Sequence, residues 1–222
     1  GEETFDDGDA VQFIIRTVME HPGQTTLVTI GPLTNIAAAL RQEPSLAGAV
    51  KQIVMMGGYA QTGTVPEDAD FYLKQRPYEH NIKSDPEAAA VVLNSGVPIV
   101  MTGLDVTYQV AVHVDEFNGH FQPDHPLHQA LHALLIRWLA FRHRMKPLLS
   151  INSTYMHDAL AVSAVLDPEV VRTVPMRVSV EEGDHPKAGY MTAVHDPRGN
   201  VQVAVEVDRE RFCRLFFETV TG

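Results

Sequence analysis

Three times in its first half the chain runs a short β-branched or apolar stretch into a glycine turn, with helix-forming residues between the stretches. "TTLVTI" (25–30) passes through Gly31–Pro32 into "LTNIAAALRQEP", "VKQIVMMGGY" (50–59) ends on paired glycines, and "VPIVMTGLD" (97–105) follows the helical stretch "SDPEAAAVVLNSG" (84–96). Each apolar run is short enough for a buried strand. The intervening stretches carry helix signals: Pro32 suits a first helical position, Ser84 or Asp85 a cap, Pro86 a first turn and Gly96 a stop. Residues 9–20 add an earlier helix, with Val11, Ile14, Ile15, Val18 and Met19 at helical spacing before Pro22–Gly23. Alternating strands and helices with short turns predict a parallel sheet covered by helices through right-handed crossovers. Ligands of such sheets sit beyond the carboxyl ends of the strands. That rule points to Ile30–Pro32, Met56–Tyr59 and Gly103–Asp105.

The second half departs from this rhythm. Residues 126–144 predict a long amphipathic helix with Leu127, Leu131, Leu134, Leu135, Trp138 and Leu139 on one stripe. A further helix begins near Asp158. "GYMTAVHDPRGNVQVAVEVD" (189–208) predicts a hairpin turning at 196–200, and "RERFCRLFFETV" a closing helix. No internal repeat or linker divides the chain. With 222 residues, 45% of them hydrophobic and 20% charged, a single domain with a sizeable core is expected. The net charge of -11 argues against a nucleic-acid or anionic-membrane partner. A lone cysteine, Cys213, rules out an internal disulfide and any cysteine-based zinc cluster. Nothing at the start resembles a signal peptide, so the expected location is cytoplasmic.

Four features bear on chemistry. "TIGPLTN" is a strand end entering a helix, which reads equally as an ordinary turn. Gly57–Gly58 let backbone approach something closely, as many tight turns do. Glu79 and Asn81 in "YEHNIKSDPEAA" are two apart, so an extended segment would point both to one face, where a carboxylate and an amide could hold vicinal hydroxyls. Water-facing loop residues would look the same. The pair His157–Asp158 could place a proton donor beside a ligand for a hard cation, or Asp158 could simply cap the next helix. His128 and His132 lie four apart on the long helix but lack a zincin's intervening glutamate, so a surface or groove-lining face is expected there. Phe71, Tyr72 and Tyr78 fall in a long irregular loop that suits either a lid or a plain surface loop.

Taken in order, "LVTIGPLTNIAAAL", "VMMGG", "EHNIKSDPEAA", "HDALA" and the closing "NVQVAVEVDRERF" resemble the nucleoside hydrolases, the inosine/uridine-preferring N-ribohydrolase family. The resemblance implies an α/β fold, a mostly parallel, Rossmann-like open sheet flanked by helices, with a C-terminal β-hairpin and helix. It implies hydrolysis of the N-glycosidic bond of ribonucleosides to ribose and free base, with a calcium ion (Ca2+) deep in the pocket. Asp158 and the backbone carbonyl of Ile30 would be calcium ligands, and Met56, Thr64, Glu79 and Asn81 would match substrate positions around the ribose. His157 would lie near the base and help it leave, so His157 and Asp158 form the catalytic pair. A small-molecule nucleoside is the expected partner, and a homo-oligomer, dimer or tetramer, the expected assembly.

The chain departs from the family pattern in two places. Thr64 stands where relatives often carry asparagine, and His80 where an aromatic is usual. The family's aspartate-rich D-x-D-x-x-x-D-D segment near the amino terminus has no counterpart; Asp6, Asp7 and Asp9 directly precede a helix and read as its acidic lead-in. Calcium takes roughly six to eight oxygens, and about two protein ligands are identified. Residues 1–222 are therefore expected to form one nucleoside hydrolase-like domain that is N-terminally incomplete, inactive or nearly so by itself, with a bared sheet edge. The alternative is a non-catalytic, truncated family member that binds a ligand or a partner chain.

Overall fold

The computed structural model describes residues 9–62, 65–66, 73, 75–145 and 152–221. Asp6, Asp7, Thr64, Phe71 and Tyr72 lie outside the described residues. The chain opens with α1 (Ala10–Glu20), where Asp9 accepts the Val11 N–H as N-cap. There follow β1 (Thr26–Thr29), α2 (Thr34–Gln42), α3 (Leu46–Ala49), β2 (Gln52–Met56), α4 (His80–Ser84), α5 (Pro86–Leu93) and β3 (Ile99–Thr102). As expected, Asp85 caps α5, accepting the Ala88 N–H at 3.0 Å, and Gly96 turns the chain with φ +82°. The first half closes on the single turn α6 (Leu104–Thr107).

The second half holds β4 (Ala111–His113), α7 (Val114–His120), α8 (Pro126–Met145), β5 (Ser153–Tyr155), α9 (His157–Leu166), β6 (Val171–Val180), β7 (Met191–His195), β8 (Val201–Val207) and α10 (Arg209–Thr221). Six strands form one sheet in the order β1-β2-β3-β8-β6-β7. The first four of these run parallel; β6 is antiparallel to both of its neighbours. A separate antiparallel ribbon pairs β4 with β5. Among the described residues no helix is long and apolar enough to cross a membrane.

Alternation along β2 shows how the sheet is buried on both sides. Ile53 and Met55 join a cluster with Val18, Leu33, Ile36, Leu40 and Leu93, under α1, α2 and α5. Val54 and Met56 join the opposite cluster, with Leu104, Leu160, Phe212 and Phe217 under α6, α9 and α10. Each core is one contiguous cluster of buried residues.

Several expectations need correction. β1 is an edge strand, not a buried one: Val28 is 38% and Ile30 51% exposed, because no strand of the described residues pairs with its outer side. α2 begins at Thr34 with Leu33 as N-cap, so Pro32 precedes the helix instead of opening it. On α8 the expected stripe is buried only in part: Leu135 and Leu139 are buried, whereas Leu127, Leu134 and Trp138 are exposed. His128 joins the buried side: its Nδ1 accepts the Gln122 N–H, and its Nε2 meets the Val220 carbonyl at the end of α10, each at 2.9 Å.

The C-terminal hairpin is made by β6 and β7, joined through 181–190, instead of turning at 196–200. That second turn carries the chain across β6, so that β7 and β8 flank it. A Cβ on Gly199 would lie 2.2 Å from the Met176 carbonyl, so only glycine passes there. Asn200 completes the crossing by bonding the Val178 backbone at both N–H and C=O.

Candidate functional site

The carboxyl ends of β1, β2 and β3 lie side by side, and the turns that leave them are laced together. Gly58 takes φ +90°, and a Cβ there would meet the sulfurs of Met101 and Met191 at 2.7 and 2.8 Å. Its carbonyl accepts the Leu104 N–H at 2.8 Å, and Gly103 leaves room for this, since a Cβ would sit 2.7 Å from the same oxygen. The paired glycines thus allow one strand-end turn to touch the next. Asp105, fully buried at the start of α6, finishes the lacing. Its Oδ2 accepts from Ala60 N at 2.8 Å, and its Oδ1 from Thr62 N at 2.7 Å and the Thr62 hydroxyl at 3.2 Å.

Glu79 and Asn81 do come together, though not in an extended segment. Glu79 is the N-cap of α4, and Asn81 lies in that helix's first turn. The 3% exposed carboxylate accepts three backbone N–H groups: Asn81 at 2.8 Å, Ile82 at 3.0 Å and Gly58 at 3.1 Å. Asn81 donates its amide to the Met56 carbonyl at 3.0 Å. Glu79 therefore ties the end of β2 to α4, and Asn81 fixes the carbonyl on which β2 stops.

The His157–Asp158 pair stands where the small ribbon delivers the chain into α9, with the Met156 N–H bonded to the Val110 carbonyl at 3.0 Å. Asp158 is not the cap. Met156 occupies that position without a side-chain bond, and Asp158 lies in the first turn with its carboxylate in the cavity lining. Partial burial lifts that carboxyl above the usual carboxylate range. The His157 Nδ1 lies 2.7 Å from the hydroxyl of Thr107, which is fully buried. The ring also meets Tyr108 edge-on at 5.2 Å and Tyr155 at 5.9 Å between centroids. Burial, and secondarily the positive charge of Arg142, hold its imidazole down to about 4, so it is neutral at pH 7.

One cavity of about 780 Å³ gathers these groups. Ile30 from the end of β1, Met56 from β2, Glu79 and Asn81 from α4, and His157 and Asp158 from α9 all line it. Of the expected site residues only Thr64 is not placed, since it lies outside the described residues. Arg76, Tyr108 and Tyr155 also line the cavity and Thr107 supports it from behind, none of them singled out in the sequence; Asp105, which supports it too, closes the expected strand-end stretch Gly103–Asp105. The signal available for Asp105 and Thr107 was their place in "GLDVT", directly after the third strand. Tyr78, expected in a lid-like loop, instead bridges to Tyr190 beside β7 and borders the cavity with its ring.

The donor set can be tested against a metal. Among the described residues no group of three or more histidine, cysteine, aspartate or glutamate side chains could hold an ion. Asp158 and Ile30 both line the cavity, and both Glu79 oxygens are already engaged. That falls well short of the roughly six to eight oxygens calcium takes. By themselves the described residues do not fit a calcium ion. His128 offers no alternative centre, because both of its ring nitrogens are bonded to backbone. It lines instead a second groove of about 330 Å³ together with His132.

Comparison with known proteins adds a second line. The inosine-uridine preferring nucleoside hydrolase family matches residues 2–214. The pyrimidine-specific ribonucleoside hydrolase RihB of Escherichia coli O1:K1 is 33% identical over 219 residues, 96% of this chain and 66% of its own length. Two solved structures each cover the whole of this chain at 30% identity. They are the plant nucleoside hydrolase PpNRh1, with TM-score 0.83 over 70% of its chain, and the purine-preferring ribonucleoside hydrolase of Gardnerella vaginalis, with TM-score 0.85 over 68%. The chain thus spans about two thirds of the length of these proteins.

Proposed function

Because the chain belongs to the inosine-uridine preferring nucleoside hydrolase family, we propose that its cavity serves hydrolysis of the N-glycosidic bond of a ribonucleoside, to ribose and free base. The observation that carries this reading is convergence. Six residues from four separated segments, each picked out by a short motif, line one cavity at the carboxyl edge of the sheet. Met56, Glu79 and Asn81 form the wall that would grip the ribose. The engaged Glu79 oxygens and the fixed Asn81 amide make that wall rigid, which suits positioning of a sugar more than proton transfer. His157 stands across the cavity among tyrosine rings, a setting that suits a planar base. A neutral imidazole there can hydrogen-bond to a departing base but is a weak acid.

Calcium would polarise an attacking water and hold the ribose hydroxyls, with Asp158 and the Ile30 carbonyl as this chain's share of its shell. Those two donors do not complete a shell. Base preference stays open between the relatives, since one is described as pyrimidine-specific and another as purine-preferring.

A second reading, a family member that binds nucleosides without cleaving them, is favoured by one observation: among the described residues no group of three or more histidine, cysteine, aspartate or glutamate side chains could hold an ion. The deciding experiment expresses the 222 residues as they stand and joined to any coding sequence that precedes them in frame. It then measures ribose released from inosine and uridine with calcium. Release by the longer polypeptide, abolished by Asp158→Ala, is the expected result, with the 222 residues near background. Turnover that survives Asp158→Ala would overturn the metal assignment, and nucleoside binding without ribose release from either polypeptide would establish the second reading.

A further inference from the structure

Thr107 has no direct part in the cavity, yet it is a fully buried hydroxyl on a one-turn helix, bonded to the histidine that does line it. The direction of that bond can be reasoned out. The hydroxyl has one hydrogen to give and two lone pairs; Nδ1 of histidine has either a hydrogen or a lone pair. Among the described residues Nδ1 is the one hydrogen-bond partner of Thr107 Oγ1. If Nδ1 carried the proton, the Thr107 hydrogen would be stranded in a dry interior. If Thr107 donates, only hydroxyl lone pairs go unused, which is far less unfavourable.

We infer that Thr107 is a positioning residue which donates to Nδ1 of His157 and thereby fixes the imidazole as the Nε2–H tautomer, holding one N–H donor in place for a ligand of the cavity. Nε2 has no hydrogen-bond partner among the described residues, so its hydrogen is free for such a ligand. The ligand class that fits is a planar heterocycle offering a carbonyl oxygen or bare ring nitrogen, received between Tyr108 and Tyr155. This rests on the proposed function only for the word base; the tautomer itself does not depend on it. Asp105, two residues earlier on α6, clamps the β2 loop through Ala60 and Thr62. A single turn of helix therefore holds both the cavity's histidine and the loop that leaves β2.

The test is a long-range ¹H–¹⁵N correlation spectrum of the histidine-labelled chain at neutral pH, with the His157 signals assigned by their loss in His157→Gln. The expected wild-type pattern is a single Nε2–H form with a bare, hydrogen-bonded Nδ1. Thr107→Val, which keeps shape and removes the hydroxyl, is expected to shift the Nδ1 resonance and admit the second tautomer, and Thr107→Ser to restore the wild-type pattern. A protonated Nδ1 in the wild type would overturn the inference without any variant needing to fold. Unmoved signals in Thr107→Val, or a serine variant behaving like valine, would overturn it as well. Failure of every polypeptide to release ribose would count against the hydrolase reading and leave the tautomer standing.

Discussion

At the scale of the residue, the cavity is built from side chains that carry structural work as well as a face toward the ligand. Glu79 is the clearest case, since its carboxylate satisfies three buried backbone N–H groups from two different segments. Glu79→Ala leaves these donors unpaired. The expected loss, measured by urea denaturation, is about 2–4 kcal/mol of stability, beyond any effect on ligand binding. His157 gives a prediction in pH. Its imidazole titrates near 4 in the folded chain against 6.5 ordinarily. The unfolded chain therefore takes up this proton first as pH falls, so the contribution is fully present above about 6.5 and lost on the way down to 4. An NMR titration should show the His157 ring unchanged between pH 8 and 5.5. Residue identities were readable here, because both the His157–Asp158 pair and Glu79 with Asn81 stand in short distinctive strings. Their geometry was not. Two residues apart in extended chain and two residues apart across a helix start look identical in one dimension.

At the scale of the element, the regular βα units of the first half were legible and the irregular pieces were not. α4 is only one turn and a fraction long, too short for a hydrophobic period, and it is stabilised by the Glu79 cap instead. β6 escaped notice because Pro175 sits in its middle, where proline ordinarily argues against a strand. There it gives up no needed donor, and its carbonyl accepts the Asp196 N–H at 3.2 Å. The buried face of α8 is narrower than the expected stripe, and His128 escapes that stripe because a histidine counts as polar in any hydrophobic pattern. The single turn α6 deserves a direct test. Asp105→Asn keeps the shape of the carboxylate but sets an NH₂ against the donors of Ala60 or Thr62. Faster amide exchange confined to residues 60–62 is expected, with a stability loss of about 1–3 kcal/mol.

At the scale of the molecule, the two cores, the doubly covered sheet and the cavity at its carboxyl edge follow from alternation alone, which is why the fold class could be read from the sequence. What alternation cannot supply is the order of strands, since that depends on crossings such as Gly199 over β6. The cavity is also unevenly equipped: lined by an amide, imidazoles and tyrosines, but poor in carboxylates for a cation. Calorimetric titration of the 222 residues with calcium is accordingly expected to show no one-site heat at micromolar concentration. A well-defined single site would mean that oxygens from beyond the described residues complete the shell.

The position of β8 has a temporal consequence. Among the described strands it comes last along the chain, yet it lies between β3 and β6, in the interior of the sheet. While a ribosome still holds residues beyond about 200, β3 has no inner neighbour and the β6–β7 pair has nothing to join. The sheet therefore closes late, as a unit, once β8 has emerged. A stop codon anywhere ahead of β8 would leave β3 and the β6–β7 pair unjoined.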